Sequence, residues 1–393
     1  MNVVFRADAS LPIGTGHVMR CLTLAEALRE RQVAVSFVCR EHEGHLCDLL
    51  EERGFAVSRL PIHREETQSK DRPVHAAWLG ALRQEDVEQT HAAIEAKSER
   101  PDWLVVDHYA LDSRWETALR PYAKRLMVID DLANREHNCD ALVDPTYGGT
   151  AERYKELAPT GAHYLCGSQY ALLRPQFRLQ RQSPGRKIPP AADSLVHVFF
   201  GGTDVGSYAV RFSQLLLSHI HGVRIRAVVG GSCAQYNRLK LLAAEYPSRF
   251  SWQANVQDMA ESMASCDFAL GAPGGATWER ACIGLPAVYL AVSNNQSAIL
   301  EHLYRNGLCV YLGMADEISD QAFVEGARKF FADGAKLKMM RTQGMETVDG
   351  MGVMRVASFM EGKKDYDSCF EGRGSAFDPL RRRARCENRR VAE

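Results

Sequence analysis

The fold of this chain follows from one stretch near its N-terminus, FRADASLPIGTGHVMR at residues 5–20. The apolar run at residues 3–5 is typical of a buried strand, and a loop with two glycines follows it. Apolar residues then recur at three- and four-residue spacing between residues 18 and 28, which predicts a helix that begins at or just after His17. The pattern therefore indicates a strand, a glycine turn and a helix N-terminus in direct succession.

Such a strand–turn–helix unit is a natural anion-binding site, because backbone N–H groups point outward at a helix N-terminus and the helix dipole adds positive charge. The same positive end disfavours a protonated His17, so the ring is predicted to stay neutral near pH 7 and to suit a general base. The alternative is that His17 only hydrogen-bonds a neighbouring residue. Gly14 and Gly16 lack the third glycine of the dinucleotide-binding fingerprint.

Strands and helical patterns alternate along the chain, which implies parallel sheets covered on both faces. In the first half, strands are predicted at residues 3–7, 33–39, 103–107, 126–130 and 141–143, and helices at 17–31, 44–53, 75–97 and 113–122. A second series has strands at 195–200, 223–229, 268–270 and 287–291, each leading into a glycine-rich or polar loop. The chain is therefore predicted to form two Rossmann-like, doubly wound α/β domains that face each other across a cleft.

Changes of composition along the chain predict the domain boundaries. Residues 1–177 form the first domain, residues 178–194 a linker with glutamines, basic residues and prolines, and residues 195–345 the second domain. Residues 346–362 are predicted to form a C-terminal helix. The tail at 363–393 has nine Lys/Arg against six Asp/Glu and no periodicity, so disorder is favoured there over a nucleic-acid or membrane contact.

Overall composition narrows the classes of function. The 48 basic and 49 acidic residues leave a formal net charge of −1, so no overall field favours nucleic acid or an anionic membrane. No apolar run approaches the roughly 20 residues that span a bilayer, and no signal peptide is apparent, so neither membrane insertion nor secretion is expected. The 11 cysteines show no CxxC pair and no metal-ligand spacing, which indicates reduced thiols in the cytoplasm.

Polar residues at the end of another predicted strand should reach the same sheet edge as His17. Asp107, His108 and Tyr109 follow residues 103–106, and any of the three could orient the imidazole or bind substrate hydroxyls.

Two pairs of charged residues near the same sheet edge are predicted to have structural roles. Arg6 and Asp8 are expected to form an ion pair that shapes the first loop. The pair Asp130-Asp131 is more typical of a helix cap or a loop scaffold than of a cation site.

The second domain carries a denser cluster, GAPGGATWE at residues 271–279. Its small residues let a diphosphate approach the backbone, and the helix that follows presents its N-terminus. Glu279 is predicted to lie in the first turn, where its carboxylate can accept hydrogen bonds from both hydroxyls of a ribose. The alternative is a plain glycine turn with a favourable acidic residue. Residues 294–296, NNQ, follow the next strand and suit either hydroxyl and phosphate contacts or ordinary loop structure.

Six motifs, taken in order along the chain, resemble those of one known family. They are FRADASLPIGTGHVMRCLTLA, VVDHYALDSRWE, YALLRPQF, FFGGTDVGS, GAPGGATWERACIGLPAVYLAVSNNQ and ETVDGMGVMRV. They are similar to motifs of the UDP-2,4-diacetamido-2,4,6-trideoxy-β-L-altropyranose hydrolases of pseudaminic acid biosynthesis. The resemblance runs over about residues 1–360 and implies a glycosyltransferase-B-like fold, related to the undecaprenyl-pyrophosphoryl-muramoyl N-acetylglucosaminyltransferases.

The resemblance also implies roles for individual residues. His17, in the family's GTGH motif, would be the general base, and Tyr109 would line the sugar side. If the second glycine cluster holds UDP, the first loop is where His17 meets water and the sugar, and Gly14 and Gly16 shape that turn and leave room for substrate. The remaining implied contacts are those to the nucleotide: Arg174, Gly274, Gly275, Thr277, Glu279, and Asn295 or Gln296.

The implied reaction is hydrolysis of a UDP-sugar with inversion, without cofactor or metal, in a pathway that serves glycosylation of flagellin or surface glycans. His17 would take a proton from the water that attacks the anomeric carbon, and UDP would leave from the opposite face. One alternative is an inverting UDP-sugar glycosyltransferase, in which the histidine deprotonates an acceptor hydroxyl. The other is a non-catalytic protein that binds a nucleotide-sugar.

Overall fold

The computed structural model describes residues 1–63, 75–97, 99–181, 194–204, 206–231 and 233–363. Most of the predicted linker (182–193) and nearly all of the predicted tail (364–393) lie outside the described residues.

The first half of the chain folds into a sheet in which every strand pairing is parallel. The strands are β1 (Asn2–Ala7), β2 (Ala34–Arg40), β3 (Ala56–Leu60), β4 (Trp103–Asp107), β5 (Arg125–Ile129), β6 (Ala141–Asp144) and β7 (His163–Cys166). The helices between them are α1 (Gly16–Glu30), α2 (Cys47–Glu52), α3 (Arg83–Glu95) and α4 (Ser113–Leu119). The strand order is β3-β2-β1-β4-β5-β6-β7. The order reverses between β1 and β4, so their carboxyl ends flank the crevice in which doubly wound sheets bind ligands.

The second sheet repeats this plan with six parallel strands. They are β8 (Leu195–Phe199), β9 (Arg224–Val229), β10 (Phe250–Ala254), β11 (Phe268–Gly271), β12 (Ala287–Ala291) and β13 (Val310–Met314). Its order, β10-β9-β8-β11-β12-β13, reverses between β8 and β11. The associated helices are α5 (Pro175–Arg181), α6 (Tyr208–His219), α7 (Tyr236–Glu245), α8 (Met259–Ala264), α9 (Gly275–Cys282), α10 (Ser297–Arg305), α11 (Asp320–Ala332) and α12 (Gly334–Thr347).

Both faces of β1 are buried, which explains its unbroken apolar run. Val3 and Phe5 belong to a core that includes residues of α1, while Val4 packs on the opposite face with Leu104. None of the helices in the described part of the chain is long and apolar enough to cross a bilayer.

The last described helix, α13 (Gly352–Met360), returns to the first sheet. Val356 and Met360 are fully buried in the same core as α1, and the Trp103 indole N–H donates to the Met360 carbonyl at 3.0 Å. The region predicted as one helix at 346–362 contains the end of α12, a turn and α13. Helices α5 and α12 run across the predicted boundaries at 177/178 and 345/346, and the division into those domains stays a prediction.

Four strands of the described structure were not predicted, and all four are sheet edges: β3, β7, β10 and β13. An edge strand has a neighbouring strand on one side only. These four strands contain several exposed or half-buried residues, whereas nearly every residue of the central strands β1 and β4 is buried. Their sequences therefore lack the continuous apolar run by which the central strands were recognised.

The helix predicted at 75–97 is two elements. A short 3₁₀ helix, Ala76–Leu79, ends at Gly80, whose φ of 67° is left-handed, and α3 begins at Arg83. A Cβ on Gly80 would lie 2.5 Å from the His42 ring, so only glycine fits this turn.

Candidate active site

His17 lies at the carboxyl end of β1, in the first turn of α1, as predicted. The loop before it is closed by the Gly14 N–H, which donates to the Ser10 carbonyl at 2.8 Å, and Gly14 has a left-handed φ of 77°. A Cβ on Gly14 or Gly16 would have no heavy atom within 4 Å, so both glycines leave open space beside the histidine. The His17 side chain is buried except for 7% of its surface.

Asp107, at the carboxyl end of β4, orients the His17 ring. Its Oδ1 lies 2.6 Å from His17 Nδ1, and its side chain has no exposure. Burial raises the pKa of Asp107, but the nearby Arg20 and His17 outweigh burial and hold that pKa well below its ordinary value. An ionised carboxylate can only accept, so Nδ1 carries the proton and Nε2 is the free basic atom of a neutral His17. Of the three residues that the sequence left open, Asp107 is the one that orients the base.

Arg20, one turn further along α1, extends this pair into a network. Its Nε donates to Asp107 Oδ2 at 2.6 Å and its Nη2 to Oδ1 at 2.7 Å, while Nη1 donates to Asp131 at 2.9 Å. The Tyr109 hydroxyl donates to the other oxygen of Asp131 at 2.5 Å. Arg20 was assigned no role from the sequence, since only the tertiary structure brings Asp107 and Asp131 beside it.

Tyr109 also connects the base to an aromatic cluster. Its ring meets His17 edge to face at a centroid distance of 4.5 Å. His75 and Trp78, from the turn before α3, lie 5.5 and 6.0 Å from the Tyr109 ring, and both are half-buried. Neither was singled out from the sequence, since only the tertiary structure brings this turn beside His17.

The predicted pair of Arg6 and Asp8 is confirmed, with Nη1 2.6 Å from Oδ1 and both side chains fully buried. Arg6 also pairs with Asp86 of α3 at 2.6 Å. His108 Nδ1 accepts the Ala110 N–H, so its proton is on Nε2, 3.3 Å from Asp8. This buried group holds the ends of β1 and β4 together behind the loop that carries His17.

The predicted scaffold role of Asp130 is also confirmed. Its carboxylate accepts from the Ala133 N–H at 2.8 Å and from Arg135 at 2.6 Å, which folds the loop after β5. Among the described residues, no group of three or more His, Cys, Asp and Glu side chains is arranged to hold a metal ion.

The second glycine cluster joins β11 to α9. Gly274 has a φ of 110°, a conformation open only to glycine, and both Gly274 and Gly275 are exposed with no heavy atom within 4 Å of a built Cβ. The Thr277 side chain is only 6% exposed and lines a small cavity under α9 with Tyr289. Helix α9 begins at Gly275, so Glu279 is at its fifth position and the prediction that it lies in the first turn is wrong.

Arg174 and Glu279, two of the predicted nucleotide contacts, lie together. Arg174 Nη2 donates to Glu279 Oε1 at 3.3 Å, and both side chains are about one-fifth exposed, at 24% and 18%. Burial raises the pKa of Glu279, and Arg174 opposes that rise.

Asn295 and Gln296, the two amide side chains predicted to contact the nucleotide, lie in the 3₁₀ helix Asn294–Gln296 and form hydrogen bonds within that loop. Asn295 is exposed, and its Oδ1 accepts from the Ser293 hydroxyl at 2.6 Å. Gln296 Oε1 accepts from the Val292 N–H at 2.9 Å, which leaves its amide nitrogen as the group available to a ligand.

The two halves of the chain approach each other at the loops that follow β1 and β8. A Cβ on Gly202 would lie 3.6 Å from the Thr15 hydroxyl. A second approach joins the loop after β6 to α10, where the rings of Tyr147 and His302 are 5.4 Å apart. Thr15 directly precedes α1, so the loop that carries His17 borders the second half of the chain.

Three curated proteins are similar to the chain in sequence. The spore coat polysaccharide biosynthesis protein SpsG of Bacillus subtilis is 21% identical over 92% of this chain and 98% of its own length. The UDP-2,4-diacetamido-2,4,6-trideoxy-β-L-altropyranose hydrolase of Campylobacter jejuni is 28% identical over 55% of this chain and 66% of its own length. Protein MJ1062 of Methanocaldococcus jannaschii is 22% identical over 74% of this chain and 55% of its own length. The chain thus matches about half to two thirds of two relatives and nearly all of the third.

Several solved structures share the architecture over nearly their whole length. Acinetobacter baumannii MurG matches with a TM-score of 0.61 at 13% identity, over 92% of this chain and 99% of that one. Medicago truncatula UGT71G1 complexed with UDP-glucose matches with a TM-score of 0.60 at 11% identity, over 91% and 98%. The chain has a glycosyltransferase-B-like fold. The prediction of two Rossmann-like domains is therefore confirmed.

The sequence matches make the chain a distant homologue of the Campylobacter hydrolase. No model of a known protein family matches it.

Proposed function

We propose that this chain hydrolyses a UDP-sugar to UDP and the free sugar, with inversion at the anomeric carbon. The observation that carries the proposal is the hydrogen bond between His17 and the buried Asp107 at the switch point of the first sheet. The substrate class comes from the Campylobacter relative, whose name specifies UDP-2,4-diacetamido-2,4,6-trideoxy-β-L-altropyranose and hydrolysis. The proposed place of the reaction is pseudaminic acid biosynthesis in the cytoplasm, and free thiols at every described cysteine support that compartment.

In the proposed reaction, a water oxygen bonds to the anomeric carbon while the bond from that carbon to the diphosphate oxygen breaks. The bonding electrons leave with UDP, and the water proton passes to Nε2 of His17. Asp107 holds the ring in the tautomer that leaves Nε2 free, and its negative charge stabilises the imidazolium that forms.

The second half of the chain is proposed to bind the nucleotide. The exposed backbone at Gly274 and Gly275 opens α9 and offers N–H groups to the diphosphate, whose charge Arg174 would also neutralise. Glu279 would accept from the ribose hydroxyls once UDP takes over its contact with Arg174. The implied roles of Thr277, Asn295 and Gln296 are carried into the proposal.

The sugar is proposed to lie between these two regions. Tyr109 would line its pocket, and the open space beside Gly14 and Gly16 would admit the sugar and the attacking water. The proposal assigns no cofactor and no metal to the reaction.

The test is product analysis by NMR after incubation with a panel of UDP-sugars in the absence of any acceptor. Free sugar of inverted anomeric configuration together with UDP is the expected result. Turnover only on addition of an acceptor would identify a glycosyltransferase, and UDP binding without turnover of any sugar would identify a binding protein.

The His17→Asn variant tests the base. It should keep its affinity for UDP by calorimetry and lose turnover by at least about a hundredfold, whereas His163→Asn, at an exposed position on β7, should match the wild type. Near-normal hydrolysis by folded His17→Asn protein would refute the assignment.

A further inference from the structure

We propose that Arg20 is a positioning residue that shares the carboxylate of Asp107 with the His17 base and so opposes the attraction of that carboxylate for a second proton on the ring. The inference rests on the proposed function, because it concerns the same base. Arg20 is one helical turn from His17, at the end of the stretch at residues 5–20, and is assigned no contact with UDP or the sugar in the proposed function.

The geometry ties the guanidinium to both oxygens of one carboxylate. Arg20 Nε and Nη2 donate to Oδ2 and Oδ1 of Asp107 at 2.6 and 2.7 Å, and the same Oδ1 contacts His17 Nδ1 at 2.6 Å. Bidentate pairs of this kind hold both partners in a fixed orientation. Asp107 is fully buried and Arg20 is 18% exposed, so solvent screens their interaction only weakly.

A carboxylate beside a histidine favours the imidazolium, and a ring that is already protonated cannot accept a proton from water. His137 illustrates this effect in the same domain. It lies 2.8 Å from Glu116 and 3.9 Å from Asp130, and although burial lowers its pKa, these carboxylates raise it to about 9. His17 contacts one carboxylate, and Arg20 opposes the charge of that carboxylate while placing Nη2 only 3.4 Å from the ring nitrogen.

The charges of the network change favourably during the proposed step. With His17 neutral, Asp107, Arg20 and Asp131 sum to one negative charge, and transfer of a proton to His17 brings the sum to zero. Tyr109 does not alter the sum, because burial and Asp131 raise its pKa well above the ordinary value. The network is therefore arranged to receive the proton during the reaction rather than before it.

Cys21, also on α1, donates to Asp107 Oδ2 at 3.5 Å and stays a neutral thiol, because burial and Asp107 raise its pKa well above the ordinary value. The remaining titratable or charged groups near His17 come from neighbouring elements. His75 stays uncharged near neutral pH because burial and the nearby Arg135 lower its pKa. Arg135 is committed to Asp130 at 2.6 Å, and His108 is directed toward Asp8 on the far side of the strand ends. None of these remaining groups contacts Asp107, so they are unchanged in variants of Arg20.

The test is an NMR titration of the His17 imidazole in UDP-free protein, assigned by loss of its signal in His17→Asn. Arg20→Gln should move the titration midpoint of His17 upward by about one pH unit or more, because no arginine then offsets the negative charge of Asp107, which favours the imidazolium. In the pH–rate profile of UDP-sugar hydrolysis, the pH below which kcat decreases should move upward by the same amount. At neutral pH, KM should change less than kcat.

Two further variants separate this effect from a general disturbance. Asp131→Asn removes a negative charge from the far side of Arg20 and should move the midpoint downward, by less because Asp131 is 28% exposed. Arg31→Gln is the matched control, because Arg31 flanks the other end of α1, is 17% exposed and pairs with Glu361 at 2.6 Å. That variant should leave the midpoint unchanged.

An unmoved His17 midpoint in folded Arg20→Gln protein would overturn the proposal. If Arg20→Gln does not fold, the Asp131→Asn titration decides, with a downward shift in support and no shift against. The NMR measurement needs no substrate, so a protein that fails to hydrolyse any UDP-sugar would refute the proposed function without deciding the role of Arg20.

Discussion

Asp107 and His17 lie 90 positions apart in the chain, yet their side chains meet at 2.6 Å. The pairing of β1 with β4 produces this contact, because Ala7 is in register with Asp107 and α1 starts from the loop that follows Ala7. The strand order reverses between these two strands, so the pair lies where the sheet opens toward a ligand. This relationship makes Asp107 the first residue to test after His17.

Asp107→Asn should lower kcat by about a hundredfold to ten-thousandfold, because the amide no longer stabilises the imidazolium and no longer selects the Nε2-free tautomer. UDP affinity should stay near the wild-type value. Asp102→Asn is the matched control, since Asp102 directly precedes β4 at its opposite end and pairs with Lys124 at 2.9 Å. Steady-state kinetics with calorimetry of UDP binding make the comparison, and a near-normal kcat in folded Asp107→Asn would contradict the mechanism.

Trp78→Ala should raise KM for the UDP-sugar by up to about tenfold and leave the inhibition constant of UDP unchanged. The Trp78 ring lies beside Tyr109 and is half-buried, so it is placed to cover the apolar face of a sugar rather than the nucleotide. Trp252→Ala is the control, because Trp252 is also half-buried against a tyrosine, Tyr236, at 5.4 Å. Equal losses for UDP and for the UDP-sugar would argue against a sugar contact.

Glu279→Gln should weaken UDP binding by about tenfold or more, because hydrogen bonds to a charged group contribute about 1.5–3 kcal/mol. The affinity of the wild type for UDP should fall as pH decreases and Glu279 becomes protonated. Since burial raises the pKa of Glu279, this fall should occur at a higher pH than an ordinary glutamate would give. The variant should lose that pH dependence. Glu301→Gln is the control, because Glu301 also pairs with an arginine at 3.3 Å, on α10. Calorimetry between pH 5 and 8 measures both effects, and an unchanged affinity for Glu279→Gln would remove Glu279 from the nucleotide site.

Gly271→Ala and Gly275→Ala should fail in different ways. A Cβ on Gly271 would lie 1.8 Å from the Phe199 carbonyl oxygen, so the strands β8 and β11 would have to separate, at a cost of about 2 kcal/mol or more. A Cβ on Gly275 would meet nothing within 4 Å, so that variant should melt like the wild type and lose UDP affinity where the methyl obstructs the diphosphate. Thermal melts and UDP titrations distinguish the two, and a fully functional Gly275→Ala would contradict the proposed diphosphate position.

The free energy of unfolding should fall between about pH 6.5 and pH 9 through His137. Burial lowers its pKa, but Asp130 and Glu116 raise it to about 9, so the folded protein binds a proton there that the unfolded chain releases. This stabilisation is fully present below the unfolded value and is lost as pH rises through 9, by up to about 3 kcal/mol. Urea unfolding at several pH values measures the slope. His137→Gln should reduce that slope, while His163→Gln, at an exposed position, should not.

Much of the architecture could be predicted from sequence because its signals are local. The apolar run of β1, the glycines at 14 and 16 and the helical spacing after His17 all depend on neighbours within one turn or one strand. The edge strands were missed for the same reason, since their burial depends on which strand lies beside them. Glu279 was placed one turn too early because the start of α9 depends on the backbone conformation of Gly274.

The sequence by itself determined the two βα series, the position of His17 at a helix N-terminus and the glycine turns that expose the backbone. Only the tertiary structure decided which of Asp107, His108 and Tyr109 faces the histidine, and that Arg20 shares the chosen carboxylate. The same holds for Arg174, whose contact with Glu279 joins residues 105 positions apart. The physical reason is that strand order and register set distances between remote side chains, whereas the local pattern of apolar residues records only which face of each element is buried.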